Sequence, residues 1–235
     1  ISTQTANGKE ATLRYISEGW QKKVESGQIT VLGRAEDGSV IIDDSDYEKE
    51  FIPGNQWWIP AHDATEFGSK LLTNFIGKRF SFPKSLYAVH DVIRFFVTNN
   101  PNALIVDFFA GSGTTMHAVN LLNAEDGGHR RCIMVTNNEV SDAEAKEMSK
   151  CGLKPGDEEW EKLGIARYVT WPRTVCSIEG HDVNGKPLKG DYLGSEPPIH
   201  MADGFKANAA FFKLGFLDPT AVSLGMRFSE MLPTL

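Results

Sequence analysis

With 235 residues, 41% of them hydrophobic, the chain can bury a core, which excludes wholesale disorder. Its net charge of −7 lends no support to nucleic-acid binding through bulk charge, although a local basic patch can act inside an acidic chain. Three cysteines without a Cys-x-x-Cys pair argue against a disulfide framework or a cysteine-based zinc site and favour a reducing compartment, so we expect a cytoplasmic protein. No apolar run is long enough for a membrane span and the N-terminus has no signal-peptide pattern, so we expect no membrane partner.

The first 60 residues are polar and irregular, and the elements predicted in them are short. Helical spacing of Leu13, Ile16, Trp20 and Val24 predicts a helix over 11–24. The segments 29–32 and 39–42 are predicted as two strands around a turn at 36–38. The strongly acidic run 43–50 is expected to face solvent.

The centre of the chain is predicted to form a βαβ unit. A helix that begins at Lys84 or Ser85 and ends near residue 99 precedes it. The apolar runs 103–108 and 131–136 are typical of buried parallel strands, and the spacing between them predicts a helix. Strand, glycine-rich turn, helix and strand indicate an α/β fold of the Rossmann type.

Beyond residue 139 the predicted elements are less regular. A charged helical stretch reaches about residue 150, and a helix over 164–176 is interrupted at Pro172. Asn184-Gly185 predicts a tight turn in a hairpin insertion near 176–195. The run 211–217 is predicted as a further strand.

The turn after the first parallel strand carries the chemistry. It reads Asp107-Phe108-Phe109-Ala110-Gly111-Ser112-Gly113-Thr114 and is called the glycine turn below. Its glycines let a ligand approach the backbone, and the following helix N-terminus offers N–H groups. A phosphate-binding loop needs lysine where Thr114 stands, and a dinucleotide turn needs glycine where Met116 stands. What remains is the D-x-F-x-G-x-G turn that binds S-adenosylmethionine, in which Glu139, after the second strand, takes both ribose hydroxyls.

Plainer explanations of these residues stay open. The glycine turn could be a purely structural strand-to-helix turn, and Glu139 could be an exposed loop acid. Lys84 could be a solvated lysine, although the helix dipole disfavours lysine at a helix start. The six histidines show no metal-ligand spacing, so we expect no metal site.

Three segments together resemble the β-class S-adenosylmethionine-dependent DNA amino-methyltransferases, in particular the modification (Mod) subunits of type III restriction–modification systems. They are Phe82-Pro83-Lys84-Ser85-Leu86, the glycine turn with Thr115, and Asn137-Asn138-Glu139. The similarity is dense from about residue 57 to residue 139. It implies a partial Rossmann-like methyltransferase fold, three-layer αβα, with an irregular, partly β N-terminal segment.

The resemblance also implies a binding site for S-adenosyl-L-methionine. Asp107 would lie under the amino-acid end of this cofactor. The residues that would wrap the cofactor are Phe109, Ala110, Gly111, Ser112, Gly113 and Thr114. The segment before the first strand would bind its methionine end through Pro83, Lys84 and Ser85.

One motif of the family is missing from the sequence. The family's catalytic D/N/S-P-P-Y/F/W motif holds the target amino group, and its aromatic residue stacks on the flipped base. The chain has a single Pro-Pro, Pro197-Pro198, which stands between Glu196 and Ile199. No catalytic residue is therefore assigned, and this chain alone is expected to be inactive. Residues 1–60 are expected to be the tail of the target-recognition region or a linker, and residues 61–235 the cofactor-binding domain.

By resemblance, the favoured function is cofactor binding within a site-specific DNA adenine-N6 methyltransferase of a restriction–modification system. The expected partners are double-stranded DNA, through the full-length protein, and two further candidates: a second copy of the chain and a restriction subunit. Two alternatives are a non-catalytic cofactor-binding or assembly module, and a methyltransferase that acts on RNA or another substrate.

Overall fold

The computed structural model describes residues 3–6, 9–12, 18–36, 40–43, 54–215 and 217–228. The chain divides into two compact units, Ile1–Trp57 and Trp58–Leu235. No helix among the described residues is both long and apolar enough to cross a membrane.

The N-terminal unit consists of two antiparallel strand pairs and one helix. Strand β1 (Thr3–Ala6) pairs with β2 (Lys9–Thr12), helix α1 spans Glu18–Glu25, and β3 (Thr30–Arg34) pairs with β4 (Val40–Asp43). The two strands predicted near 29–42 are confirmed. The turn centre at 37–38 and the acidic residues 44–50 lie outside the described residues.

The helix predicted over 11–24 is wrong in its first part. Ala11 and Thr12 belong to β2, and the helix begins only at Glu18. Ala11 and Thr12 pair with β1, so pairing between adjacent strands overrides a weak local helical pattern here. Residues 13–17 lie outside the described part of the chain.

The second unit begins with two helices. A π-helical turn (Thr65–Lys70) leads into α2 (Leu71–Ile76), and α3 spans Leu86–Val97. Of the two residues at which the sequence predicts the start of this helix, Lys84 and Ser85, it is Ser85 that is the N-cap of α3, because its side chain accepts the Ala88 N–H. Helices α2 and α3 supply seven of the 17 described residues of a buried hydrophobic cluster, among them Leu72, Phe75 and Leu86.

The predicted βαβ unit is present. Strand β5 (Leu104–Asp107) runs parallel to β6 (Arg131–Met134), with Leu104 opposite Arg131 and Asp107 opposite Met134. Helix α4 (Thr114–Asp126) connects them and packs on α3. Ile105 and Cys132 pack against the core formed by these helices.

The expectation that both parallel strands are buried on both faces is wrong for one face. Leu104, Val106, Ile133 and Val135 alternate with the covered residues and remain 38–50% exposed. In the described part of the chain only β5 and β6 pair in this sheet, and the core lies against the face that carries Ile105 and Cys132. The opposite face is called the open sheet face below.

Short helices dominate the remainder of the unit. They are α5 (Asp142–Lys150), α6 (Glu158–Lys162), a π-helical turn (Ala166–Thr170) that leads into α7 (Trp171–Glu179), and α8 (Pro219–Ser223). Pro172 does not interrupt the helix predicted there, because it lies in the first turn of α7.

The last two predicted elements have different outcomes. The predicted turn at Asn184-Gly185 is present, since the Asp182 N–H donates to the Lys186 carbonyl at 2.8 Å. The strand predicted over 211–217 is wrong: residues 211–215 and 217 are irregular, and residue 216 lies outside the described part. Phe212 and Leu214 are largely exposed, and no strand among the described residues pairs with this segment.

Candidate functional site

Backbone hydrogen bonds hold the glycine turn against the neighbouring strand. The Val135 N–H donates to the Asp107 carbonyl at 2.7 Å, and the Ala110 N–H donates to the Val135 carbonyl at 3.1 Å. The Gly113 N–H then donates to the Ala110 carbonyl at 2.8 Å, just before α4 begins. The parallel ladder thus continues past β5 and β6 and fixes the start of the turn.

Asp107 bonds to the turn with both carboxylate oxygens. Oδ1 accepts the Phe109 N–H at 2.9 Å, and Oδ2 accepts the Thr115 hydroxyl at 2.6 Å. The residue is half-buried, and each carboxylate oxygen can accept a further hydrogen bond. Asp107 therefore places a fixed negative charge at the carboxyl end of β5.

The two glycines of the turn have different surroundings. Both have positive φ, +51° at Gly111 and +77° at Gly113, which favours glycine. A Cβ at Gly111 would meet only the Phe109 carbonyl oxygen, at 3.7 Å, whereas a Cβ at Gly113 would lie 3.3 Å from the Thr170 side chain. Gly111 therefore borders open space, whereas a side chain at Gly113 would press against Thr170.

The side chains of the turn point in opposite directions. Phe109 is 89% exposed, while Ala110, Ser112 and Thr114 are buried. Arg173 of α7 donates to the Ser112 hydroxyl at 3.1 Å and to the Thr114 hydroxyl at 2.8 Å. Ser112 and Thr114 therefore offer a ligand their backbone N–H groups rather than their hydroxyls.

Glu139 lies at the same edge of the sheet as the glycine turn. Parallel neighbours end on one side, and Glu139 follows the end of β6. Its side chain is exposed and accepts the Asn137 amide at 3.3 Å, and its carbonyl accepts the Ile165 N–H at 2.7 Å. The backbone at this acid is thus fixed while the carboxylate remains accessible.

The side chain of Asn138 holds the same loop to a later segment. Its amide donates to the Glu161 carbonyl at 2.7 Å and accepts the Arg167 N–H at 3.3 Å. A Cβ on Gly164 would overlap this amide. The loop after β6 is therefore held by α6 and by the residues that follow it.

Of the three residues predicted before α3, only Lys84 has an exposed side chain. Pro83 is buried, and a Cβ on Gly68 would lie 2.6 Å from the Pro83 carbonyl oxygen. Ser85 caps α3 and donates its hydroxyl to the Ala61 carbonyl at 2.8 Å. Among the described residues, none of these three side chains bonds to the glycine turn.

Two residues behind the turn have no counterpart in the sequence predictions. The Thr170 hydroxyl donates to the Gly111 carbonyl at 2.6 Å, and Arg173 binds the turn as described above. Arg173 also contacts His117 Nδ1 at 3.4 Å, and His117 Nε2 lies 2.8 Å from the Tyr192 hydroxyl. Thr170 and Arg173 lie 59 and 61 residues beyond the turn residues Gly111 and Ser112 that they contact, so no local pattern could reveal these contacts.

Burial changes the pKa values of His117 and Arg173, two titratable residues in contact behind the turn. It holds the pKa of His117 well below its usual range, and the Arg173 charge acts in the same direction. Burial also lowers the pKa of Arg173, to about 10, which still leaves the guanidinium charged at neutral pH. A neutral imidazole therefore lies beside a charged arginine behind the turn.

The comparisons with known proteins agree with one another. The family model described as DNA methylase matches residues 9–149. The Type II methyltransferase M.KpnI of Klebsiella pneumoniae is 32% identical over 120 residues, 51% of this chain and 28% of that protein. The Mod subunit of the type III restriction-modification enzyme EcoPI, from Escherichia phage P1, is 36% identical over 89 residues, 37% of this chain and 13% of that subunit.

A second type III subunit gives the same result. The StyLTI Mod subunit of Salmonella typhimurium is 36% identical over 84 residues, which is 36% of this chain and 13% of that subunit. The chain thus spans less than a third of the length of these relatives.

Proposed function

We propose a function on the premise that this chain belongs to the DNA methylase family. The chain forms the cofactor-binding part of a site-specific DNA adenine-N6 methyltransferase of a restriction–modification system. Membership of a methyltransferase family implies the use of S-adenosylmethionine. The observation that carries the proposal is that the glycine turn and Glu139 follow two neighbouring parallel strands, β5 and β6, at the same edge of the sheet. Asp107 is hydrogen-bonded within the turn that leads into α4, and Glu139 follows the end of β6 with an accessible carboxylate.

The hydrogen-bonding groups at this edge of the sheet fit the chemical groups of S-adenosylmethionine. Asp107 offers carboxylate lone pairs to an ammonium group, and the first turn of α4 offers N–H groups to a carboxylate. Glu139 offers an accessible carboxylate to a ribose diol. Open space beside Gly111 leaves room for close approach. When bound, the cofactor supplies an electrophilic methyl group.

The proposed contacts divide into side-chain and backbone contacts. Asp107, Glu139 and the exposed Phe109 would use their side chains. Ala110, Gly111, Ser112, Gly113 and Thr114 would use the backbone. The segment before α3 would contribute the Lys84 side chain, while Pro83 and Ser85 hold that segment in place.

For the fold we propose a Rossmann-like, three-layer αβα arrangement, of which residues 61–235 form the cofactor-binding domain. The βαβ unit and the open sheet face support it. An apolar face formed by Leu104, Val106, Ile133 and Val135 is what a covering third layer requires. The relatives are more than three times as long as the segments matched, so they contain ample chain for such a layer. Residues 1–60 remain the proposed end of the recognition region or a linker.

Catalysis would depend on chain beyond these 235 residues. Methyl transfer requires the target amino group to be held in line with the methyl group, and positioning is the main contribution of such an enzyme. The D/N/S-P-P-Y/F/W motif that does so in the family is absent from the sequence. We propose that double-stranded DNA binds the full-length protein, with a second copy or a restriction subunit as further partners.

Calorimetry with S-adenosylhomocysteine, the demethylated product, tests cofactor binding. Gly111→Val places a branched side chain in the open space of the glycine turn, and we expect at least about tenfold weaker binding. Gly127→Val is the matched control, because Gly127 also has positive φ, +69°, with nothing within 4 Å of its Cβ, at the other end of α4. Unchanged affinity in folded Gly111→Val protein would show that the glycine turn is not the site.

A labelled-methyl assay on adenine-rich duplex DNA tests the catalytic part of the proposal. We expect methylation by the full-length protein and none by this chain alone. Robust transfer by this chain would overturn the assignment of catalysis to residues outside it. Cofactor binding without transfer by the full-length protein would favour the alternative of a non-catalytic module.

A further inference from the structure

We propose that Arg173 is a positioning residue that holds the glycine turn in its binding shape and directs a positive potential at the carboxylate of the bound amino-acid moiety. The inference rests on the proposed function, because it concerns the same ligand. It adds a residue from α7, about 60 residues beyond the turn in the chain, that no local sequence pattern indicates.

Arg173 forms hydrogen bonds with the two residues of the turn that flank Gly113. Its Nη1 lies 3.3 Å from the Ser112 carbonyl oxygen, 3.1 Å from the Ser112 hydroxyl and 2.8 Å from the Thr114 hydroxyl. The side chain is 1% exposed, so packing fixes the guanidinium. Together with Asp107 and Thr170, Arg173 therefore holds the turn in place at the start of α4.

Among the described residues, no acid forms an ion pair with Arg173. Its hydrogen-bond partners there are a carbonyl, two hydroxyls and the His117 imidazole. The imidazole is neutral at neutral pH, since its pKa lies well below the usual range. A buried charge that lacks a counter-ion is costly. A neutral donor would satisfy the same acceptors, so the charge itself requires an explanation.

Arg130 shows how a buried arginine is usually accommodated, by an ion pair with an acid. It is also buried, but its guanidinium pairs with the Asp126 carboxylate at 2.9 Å and tethers the end of α4 to the Val97 carbonyl at 3.0 Å. Arg130 thus has a structural partner for its charge, and Arg173 does not among the described residues.

An anionic ligand group at the turn would supply the missing counter-charge. Arg173 lies behind the start of α4, where the unpaired N–H groups already carry partial positive charge. The turn is also bonded to a negative charge. Thr114 accepts from Arg173, while the next residue, Thr115, donates to the Asp107 carboxylate. A negative and a positive group thus attach to adjacent residues, which suits a zwitterionic amino-acid moiety.

Two ligands that share one adenosine separate this role from a structural one. S-adenosylhomocysteine carries the amino-acid end, and 5′-methylthioadenosine lacks it. By calorimetry, Arg173→Met should weaken S-adenosylhomocysteine at least about tenfold and change 5′-methylthioadenosine less than about threefold. Arg173→Lys, which keeps the charge but loses the planar fork, should fall between Arg173→Met and the wild type. Arg130→Met, the matched control, should lower stability and leave the ratio of the two affinities unchanged.

Equal weakening of both ligands, or no weakening, in folded Arg173 variants would overturn the inference. If both Arg173 variants unfold, Thr114→Val decides, because it removes the shortest contact and retains the arginine. It should weaken S-adenosylhomocysteine selectively, and an equal effect on both ligands would count against the proposal. Failure of the wild-type chain to bind S-adenosylhomocysteine would instead refute the proposed function.

Discussion

Replacing Ser85 by alanine tests whether this residue holds the fold or touches the cofactor. Its side chain is 2% exposed and makes two hydrogen bonds. The hydroxyl accepts the Ala88 N–H at 3.4 Å as the N-cap of α3, and it donates to the Ala61 carbonyl at 2.8 Å. Ser85→Ala removes both, and it leaves the Ala61 carbonyl without this partner.

The expected cost follows from these two contacts. Loss of an N-cap costs about 1 kcal/mol. Depriving a carbonyl of its partner costs about 1–3 kcal/mol when it is buried, and the lower end applies because Ala61 is only half-buried. We therefore expect Ser85→Ala to lower the free energy of unfolding by about 2 kcal/mol.

Ser141→Ala is the matched control. Ser141 is the N-cap of α5, where its hydroxyl accepts the Glu144 N–H at 3.4 Å and donates to the Glu144 carboxylate at 2.7 Å. The residue is exposed, so water replaces the lost partner and we expect a cost below about 1 kcal/mol. Urea unfolding followed by circular dichroism measures the difference.

Two results would refute this reasoning. If Ser85→Ala costs no more than Ser141→Ala, the bond to Ala61 contributes nothing to stability. If Ser85→Ala instead leaves the unfolding free energy unchanged and weakens S-adenosylhomocysteine more than about tenfold, Ser85 contacts the ligand directly.

The remaining predictions concern Glu139 and the pH dependence of stability. Glu139→Ala should weaken S-adenosylhomocysteine about 10- to 150-fold by calorimetry, since a charged hydrogen bond is lost; an effect below about twofold, with a larger one for Asp142→Ala, would assign the ribose to Asp142. Burial acts to lower the pKa of His90, but bonds and charges from Glu125 and Asp91 raise it above 6.5 overall. Its contribution to stability is therefore complete below about pH 6.5 and is lost as pH rises through the raised pKa. Urea unfolding should give a lower free energy of unfolding at about pH 8.5 than at about pH 5.5, and Glu125→Gln should reduce this difference. An equal difference in that variant would show that the interaction of His90 with Glu125 is not its source.

Local patterns predicted the central elements well, for physical reasons. Ser85 caps α3 and the turn between β5 and α4 has glycines at positive φ, and both features depend on neighbours in sequence. The parallel pairing of β5 and β6 follows from two apolar runs joined by one helix.

Predictions that depended on distant partners were less successful. The orientation of Ser112 and Thr114 is set by Arg173, which lies far along the chain. The run 211–217 has strand-like composition but no pairing partner in the described part. Ala11 and Thr12 have a nearby partner, β1, but helical spacing alone does not reveal that a strand pairs there. Exposure of Val106 and Ile133 could not be predicted either, because composition does not reveal which layers a sheet has.

The open sheet face also has a practical consequence for handling this chain in isolation. Exposed contiguous apolar residues promote self-association, and Leu104, Val106, Ile133 and Val135 lie on the side of the strands away from the core. Val106→Thr and Ile133→Thr would retain strand geometry and leave Ile105 and Cys132 untouched. Such a polar-faced variant offers a route to a monomeric sample for spectroscopy without changing the glycine turn.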